Sequence, residues 1–108
     1  MAARTLAGAG ANLTLAAGTA DALEALGADL RDSGAAVETI ARRAEDEAAA
    51  EEMVERAVST HGGIDLVVTA AGINKIGLAT EQSVEDWQSV LDANAKGTWL
   101  VCRAGAAE

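Results

Sequence analysis

The sequence predicts an α/β protein in which short parallel strands alternate with helices on both faces of one sheet. Two observations carry that prediction. Apolar residues recur at helical spacing in three stretches, Leu23–Leu26–Leu30, Ala50–Met53–Val54–Ala57–Val58 and Trp87–Val90–Leu91, each an amphipathic stripe of the kind that faces a core. Among them lie short runs that suit strands, NLTLA at 12–16, AVETIA at 36–41 and IDLVV at 64–68. Strict alternation of the two kinds of element favours a parallel sheet, because a crossover helix carries the chain back to the same end of the sheet.

Each element has its own local signals. Ala2 to Ala9 is Ala-rich and helix-prone, and Gly10 suits a helix C-terminus. In NLTLA, Leu13 and Leu15 fall on one face of a strand. Thr19 is placed to cap the helix that follows, and Gly34 ends it. AVETIA is the weakest of the three strands. Asp46 opens a long helix with acids in its first turn, where they complement the helix dipole. His61 falls in the last turn of that helix and Gly62 just past it, a conventional stop. After the Ile64 strand and a loop, Ser83 with Asp86 three residues on comes close to a capping box. The last helix carries Trp87, Val90, Leu91 and Asn94 on one face, which aims the Asn94 amide inward. Helix-compatible sequence then runs to the end.

Composition narrows the functional classes. The 108 residues suit one modest domain, spanning 1–108 without internal repeat, linker or proline. Alanine accounts for 27 of them, there is no Phe or Tyr, and the core is expected to be thin. Net charge is −9 and no basic run interleaves with aromatics, so a nucleic-acid surface is not expected. No apolar stretch reaches the roughly 20 residues of a membrane span, and the N-terminus lacks the basic start and apolar run of a signal peptide. A cytoplasmic protein is the expectation. The lone Cys102 excludes an internal disulfide and reads as a buried structural thiol. One His and one Cys make no metal site, and His61 reads as a helix-terminal residue. No serine lies in a Gly-x-Ser-x-Gly setting.

The stretch IDLVVTAAGIN asks why a strand should end in residues as small as Ala70, Ala71 and Gly72. In open parallel sheets ligands bind beyond the carboxyl ends of the strands, and a glycine there admits positive φ while alanines obstruct little. From these residues alone, close packing of a helix against the sheet explains the stretch equally well.

The wider pattern decides between them. Gly10-Ala11-Asn12 before a strand, then IDLVVTAAGIN, then EDWQSVLDANAKGTWL, resembles the short-chain dehydrogenase/reductase family in register over nearly the whole chain. Asp65–Gly72 and Asp92–Gly97 are its most specific parts. The resemblance implies a partial Rossmann-type fold: a doubly wound, three-layer parallel sheet missing its first strand and its later strands. It implies NAD or NADP as cofactor, an alcohol or carbonyl compound as small-molecule substrate, and a homo-oligomer as the parent assembly. It places Ala70, Ala71 and Gly72 beside the cofactor, where family members carry Asn-Asn-Ala-Gly or a close variant. It places Asn94, of Asn94-Ala95-Lys96-Gly97, at the catalytic centre, holding a water in a proton relay. Ala17 and Gly18 stand where members carry an Asp for the NAD ribose or an Arg for the NADP phosphate, and Arg43-Ala44 stand where many carry Asp-Val near the adenine. Arg43 could meet a phosphate or be a solvated surface charge.

The same resemblance marks departures. The family's phosphate loop, Thr-Gly-x-x-x-Gly-x-Gly, has no counterpart, since Gly8-Ala9-Gly10 reads as a helix end. The catalytic Ser and the Tyr-x-x-x-Lys pair are also without counterparts, and neither Lys75 nor Lys96 matches that lysine. The expectation is a segment of an NAD(P)-dependent oxidoreductase, inactive and weak in dinucleotide binding by itself, with a mispredicted start, an assembly break or a split gene as its origin. The alternative is a non-catalytic family remnant that pairs with a full-length relative. The absent first strand would lie between those at Asn12 and Ile64 and leave an open edge on each.

Overall fold

The computed structural model describes residues 1–108. Helix α1 (Ala2–Gly8) leads into strand β1 (Leu13–Ala16), helix α2 (Ala20–Asp32), strand β2 (Val37–Ile40) and helix α3 (Glu47–His61); helix α4 (Val84–Leu91) continues through a π turn (Asp92–Lys96) into helix α5 (Gly97–Gly105). The two strands pair in parallel, Leu13 opposite Val37 and Ala16 opposite Ile40. Helices α1, α2 and α3 contact this sheet, and α5 packs on α3.

Local chemistry accounts for most boundaries. Asp46 accepts the Ala49 amide at 2.8 Å and so satisfies one of the free N–H groups that open α3. Ser83 does the same for Asp86 at 3.0 Å. Gly10, Gly34 and Gly62 follow α1, α2 and α3 with φ of +87°, +96° and +87°, the left-handed conformation that glycine adopts without a Cβ penalty. Thr19 occupies the N-cap of α2, but its side chain makes no capping bond. His61 ends α3 as expected and also reaches the sheet, with Nε2 3.1 Å from the Leu13 carbonyl. A carbonyl only accepts, so Nε2 donates.

The core is small, as a quarter-alanine chain requires. Only 12 residues are buried, chiefly Leu13, Leu23, Leu30, Ile40, Met53, Val54 and Leu100. Gly27, between Leu23 and Leu30 on α2, lets the helix lie close to β2: a Cβ there would stand 2.7 Å from Thr39 Cγ2. Charged side chains tie the rim, where Arg31 Nε donates to the Val37 carbonyl at 2.9 Å, and Arg42 pairs with Glu52 and Arg56 with Glu38. The radius of gyration is 15.3 Å, above the roughly 13 Å of a close-packed domain near this length, and the longest dimension is 50 Å.

Three expectations need correction. Ile64–Val68 is not a sheet strand. No backbone–backbone hydrogen bond engages residues 63 to 77, and Leu66 and Val68 are exposed. A strand exists through its ladder, and β1, paired only with β2, lends this stretch nothing. Val67 alone turns under α5, where a Cβ on Gly105 would lie 2.8 Å from its Cγ2. Cys102, expected buried, is exposed, because α5 turns Leu100 and Gly105 to the interior and Cys102 away from it. Trp87, expected on a core-facing stripe, is 58 % exposed, and Trp99 is exposed as well. Trp99 lies against Arg103, whose Cζ is 5.4 Å from the ring centre.

Candidate functional site

The carboxyl ends of β1 and β2 open the site. The Ala17 amide donates to the Ile40 carbonyl at 3.2 Å, extending the parallel ladder one step past the strands. Gly18 follows directly beneath the Arg43 side chain, and any Cβ at Gly18 would strike that side chain around Nε. Arg43 is exposed, and the chain's seven ion pairs use every cationic side chain except Arg43 and Lys96. A guanidinium at a strand end with no carboxylate partner keeps its planar fork of donors free for an anion.

Ala44 links this corner to the helical side. A Cβ on Gly97 would stand 2.9 Å from the Ala44 carbonyl oxygen and 3.4 Å from the Asp92 carbonyl oxygen. Gly97 has ordinary helical φ and ψ, so its smallness serves close approach and not backbone freedom. It also closes the π turn, its N–H donating to the Asp92 carbonyl five residues back.

Asn94 lies in the middle of that turn. Its Oδ1 accepts the Ile73 N–H at 2.8 Å and its Nδ2 donates to the Ile73 carbonyl at 2.9 Å. The amide therefore grips both polar groups of one residue in a segment whose backbone makes no hydrogen bond to other backbone. The expectation of a buried, inward-facing Asn94 is corrected: the residue is exposed, and the backbone of Ile73 satisfies it. The Trp87 face on which sequence placed Asn94 is itself exposed, with Trp87 at 58 %, and from the π turn Asn94 meets the loop at Ile73.

Gly72 is explained by the same contact. A Cβ there would come within 3.3 Å of Asn94 Oδ1. Its φ is not positive, so the conformational freedom offered for it from sequence is not what the structure uses; room for Asn94 is. Ala70 and Ala71 are exposed, with no hydrogen bond of their own. Ala17, Gly18, Arg43, Ala44, Gly97, Asn94 and Gly72 thus form a connected arc, with Ala70 and Ala71 next to it in the chain.

Beyond Ile73 the loop is held by side chains that sequence reading passed over. Gln82 Nε2 donates to the Lys75 carbonyl at 2.6 Å, and Lys75 Nζ pairs with Asp86 Oδ1 at 3.1 Å. The bond from Lys75, and secondarily the Ser83 hydroxyl, hold the Asp86 carboxyl below its ordinary range. The acid three residues after Ser83 was the available signal, but it pointed to a cap and gave no hint of Lys75. Asn74, Lys75, Gln82, Asp86, Trp87, Val90 and Leu91 line a shallow depression beside this loop.

A parallel pair with flanking helices, and small residues gathered at the strand ends, define a Rossmann-type α/β protein. The chain belongs to the short-chain dehydrogenase family, whose model matches residues 1–108. Among curated proteins, an uncharacterized oxidoreductase of Mycobacterium tuberculosis is 48 % identical over 106 residues, covering 96 % of this chain and 38 % of that protein. D-threitol dehydrogenase of Mycolicibacterium smegmatis is 34 % identical over 85 residues, covering 79 % and 33 %. Among solved structures, a short chain dehydrogenase of Burkholderia cenocepacia in complex with NADP superposes with a TM-score of 0.93 at 25 % identity, over 98 % of this chain and 44 % of that one. The chain thus spans well under half the length of these relatives.

Proposed function

We propose that these residues form the second-strand-to-asparagine-helix part of an NAD(P)-dependent oxidoreductase, which transfers hydride between a nicotinamide and an alcohol or carbonyl compound. The grip of Asn94 on the Ile73 backbone carries the reading. It fixes the turn that follows Gly72, and it requires both polar ends of the amide, which ordinary helix packing does not. A bound dinucleotide would supply the hydride acceptor or donor. Toward it, Gly72, Ala71 and Ala70 leave a path along the exposed segment they belong to, Gly18 and Ala17 leave room at the ribose end, and Ala44 borders the adenine side. Arg43, free of carboxylates above Gly18, favours NADP, since its fork of donors matches a phosphate. Asn94 is the water-holding member of the proton relay, kept in place by the grip of its amide on Ile73.

Taken alone, the 108 residues are not expected to turn over substrate, because they contain no tyrosine to exchange the hydroxyl proton. The test belongs in the longer protein, or in a chimera that adds a family glycine loop and a Tyr-x-x-x-Lys segment. Asn94→Ala should lower turnover strongly with cofactor affinity nearly unchanged. Arg43→Ala should weaken NADP and leave NAD nearly as it was, by about 1–3 kcal/mol of lost charged hydrogen bonding. Turnover intact in the first variant removes Asn94 from the centre, and equal loss of both dinucleotides in the second removes Arg43 from the phosphate.

A second reading is favoured by one observation, the absence of main-chain partners over residues 63 to 77. In that reading the segment is a non-catalytic module that pairs with a full-length relative. Mixing the purified chain with such a relative and measuring mass in solution separates the two, since the enzyme reading expects no complex.

A further inference from the structure

The hydroxyl of Thr98 donates to the Asn94 carbonyl oxygen at 3.0 Å. Other hydroxyls of the chain bond back along their helices in a similar way, Thr5 to Met1, Ser33 to Leu30, Ser59 to Arg56 and Ser89 to Asp86. Thr98 differs in what it holds. Its acceptor belongs to the residue whose side chain grips Ile73, and it lies within the π turn.

A hydroxyl bonded to the carbonyl four residues back draws that carbonyl outward and bends the helix axis, and π turns are themselves sites of sharp bending. Here the π turn joins two helices with different anchors. Helix α4 lies beside the 73–82 loop through the Lys75–Asp86 pair. Helix α5 runs to α3, where Leu100 is buried and Gly105 covers Val67. Gly97, pressed on the Ala44 carbonyl, fixes where α5 begins. The direction of Asn94 relative to Ile73 therefore depends on the form of the π turn between two anchored helices.

We propose that Thr98 is a positioning residue: through its bond to the Asn94 carbonyl it holds the π turn in the form that aims the Asn94 amide at both polar groups of Ile73, and so places Gly72. This rests on the oxidoreductase reading for its functional meaning, but its physical content concerns only this chain.

The experiment is amide hydrogen exchange by NMR on the whole 108-residue chain, with no cofactor, so its outcome is independent of whether the dehydrogenase reading holds. The amide of Ile73 reports the grip, those of Leu30 and Val54 report global opening, and Thr5→Val controls for loss of an ordinary backward hydroxyl bond. Thr98→Val should speed Ile73 exchange about five- to tenfold, the worth of one net hydrogen bond, with Leu30 and Val54 unchanged. Thr98→Ser should restore the slow rate, and Thr5→Val should leave Ile73 unaffected. An Ile73 rate in Thr98→Val equal to that of the unaltered chain overturns the proposal, as does equal acceleration at all three amides. If Thr98→Val does not fold, Thr98→Cys, a similar shape with a weaker donor, is measured in its place. Failure of both to fold while Thr98→Ser folds assigns Thr98 to general stability and likewise overturns it.

Discussion

The segment from Leu13 to His61 and the segment from Gly63 to Gly77 are held by different kinds of bond. In the first, main chain meets main chain: β1 and β2 share a ladder, helices complete their own amides, and Leu23, Leu30, Ile40 and Val54 are buried between them. In the second, no backbone group finds another, and Asn94 and Gln82 reach in from elsewhere to hold Ile73 and Lys75. Bonds of the first kind are repetitive and cooperative, so losing one side chain weakens them by packing alone. Those of the second kind are individual, each resting on one exposed side chain. The contact between Asn94 and Ile73, central to the candidate site, is of the second kind, so it is expected to contribute little to the fold.

The contrast can be broken most forcefully from the packed side. Leu30 is 3 % exposed under the sheet, and Leu30→Ala should cost about 2–5 kcal/mol through lost contact and a cavity. In a domain with this small a core, urea unfolding should show most or all of the transition gone. A loss under 1 kcal/mol would mean that the paired half is not the cooperative unit.

At the junction of the two halves, Gly97→Ala should cost about 1–3 kcal/mol. Its Cβ meets two backbone carbonyls, those of Ala44 and Asp92, and backbone yields less easily than the end of a side chain. Thermal melting measures the cost. Gly18→Ala is the natural comparison and should be nearly neutral, because the flexible Arg43 side chain it meets can swing away.

Asp46→Ala tests a single cap on the packed side and should cost about 1 kcal/mol. Asn94→Ala should cost less than the same amount in global stability, since water replaces the amide at an exposed position, while exchange at Ile73 accelerates locally. A large drop in melting temperature for Asn94→Ala would place the residue in the fold and not in the site.

The smallest effect is that of pH on the 73–82 loop. Lys75 and Ser83 depress the Asp86 carboxyl below its ordinary value, so its contribution is complete above about pH 4 and is lost as pH falls through the lowered value. Both partners are exposed, and the ion pair is screened accordingly. The Lys75 resonances should move over that acid range in the unaltered chain and remain still in Asp86→Asn.

The sequence by itself determined what local chemistry governs: the helices, from apolar spacing and from Asp46, Ser83 and the glycines at 10, 34 and 62; the two paired strands, from short apolar runs between caps; and the family, from Asp65–Gly72 and Asp92–Gly97. Among the site residues it singled out Gly72 and Asn94 as a strand end and a helix residue, 22 positions apart in sequence. Only the tertiary structure decided that they touch, that Gly72 is small for the sake of Asn94, and that Gly97 is small for the sake of Ala44. It also decided against the strand at Ile64–Val68. Periodicity reports which residues suit a strand, but a strand is completed by the hydrogen bonds of a neighbour, and that neighbour is a long-range partner no local pattern contains. The π turn has the same cause: Asn94 within it bonds Ile73, a partner 21 positions away that no local pattern contains.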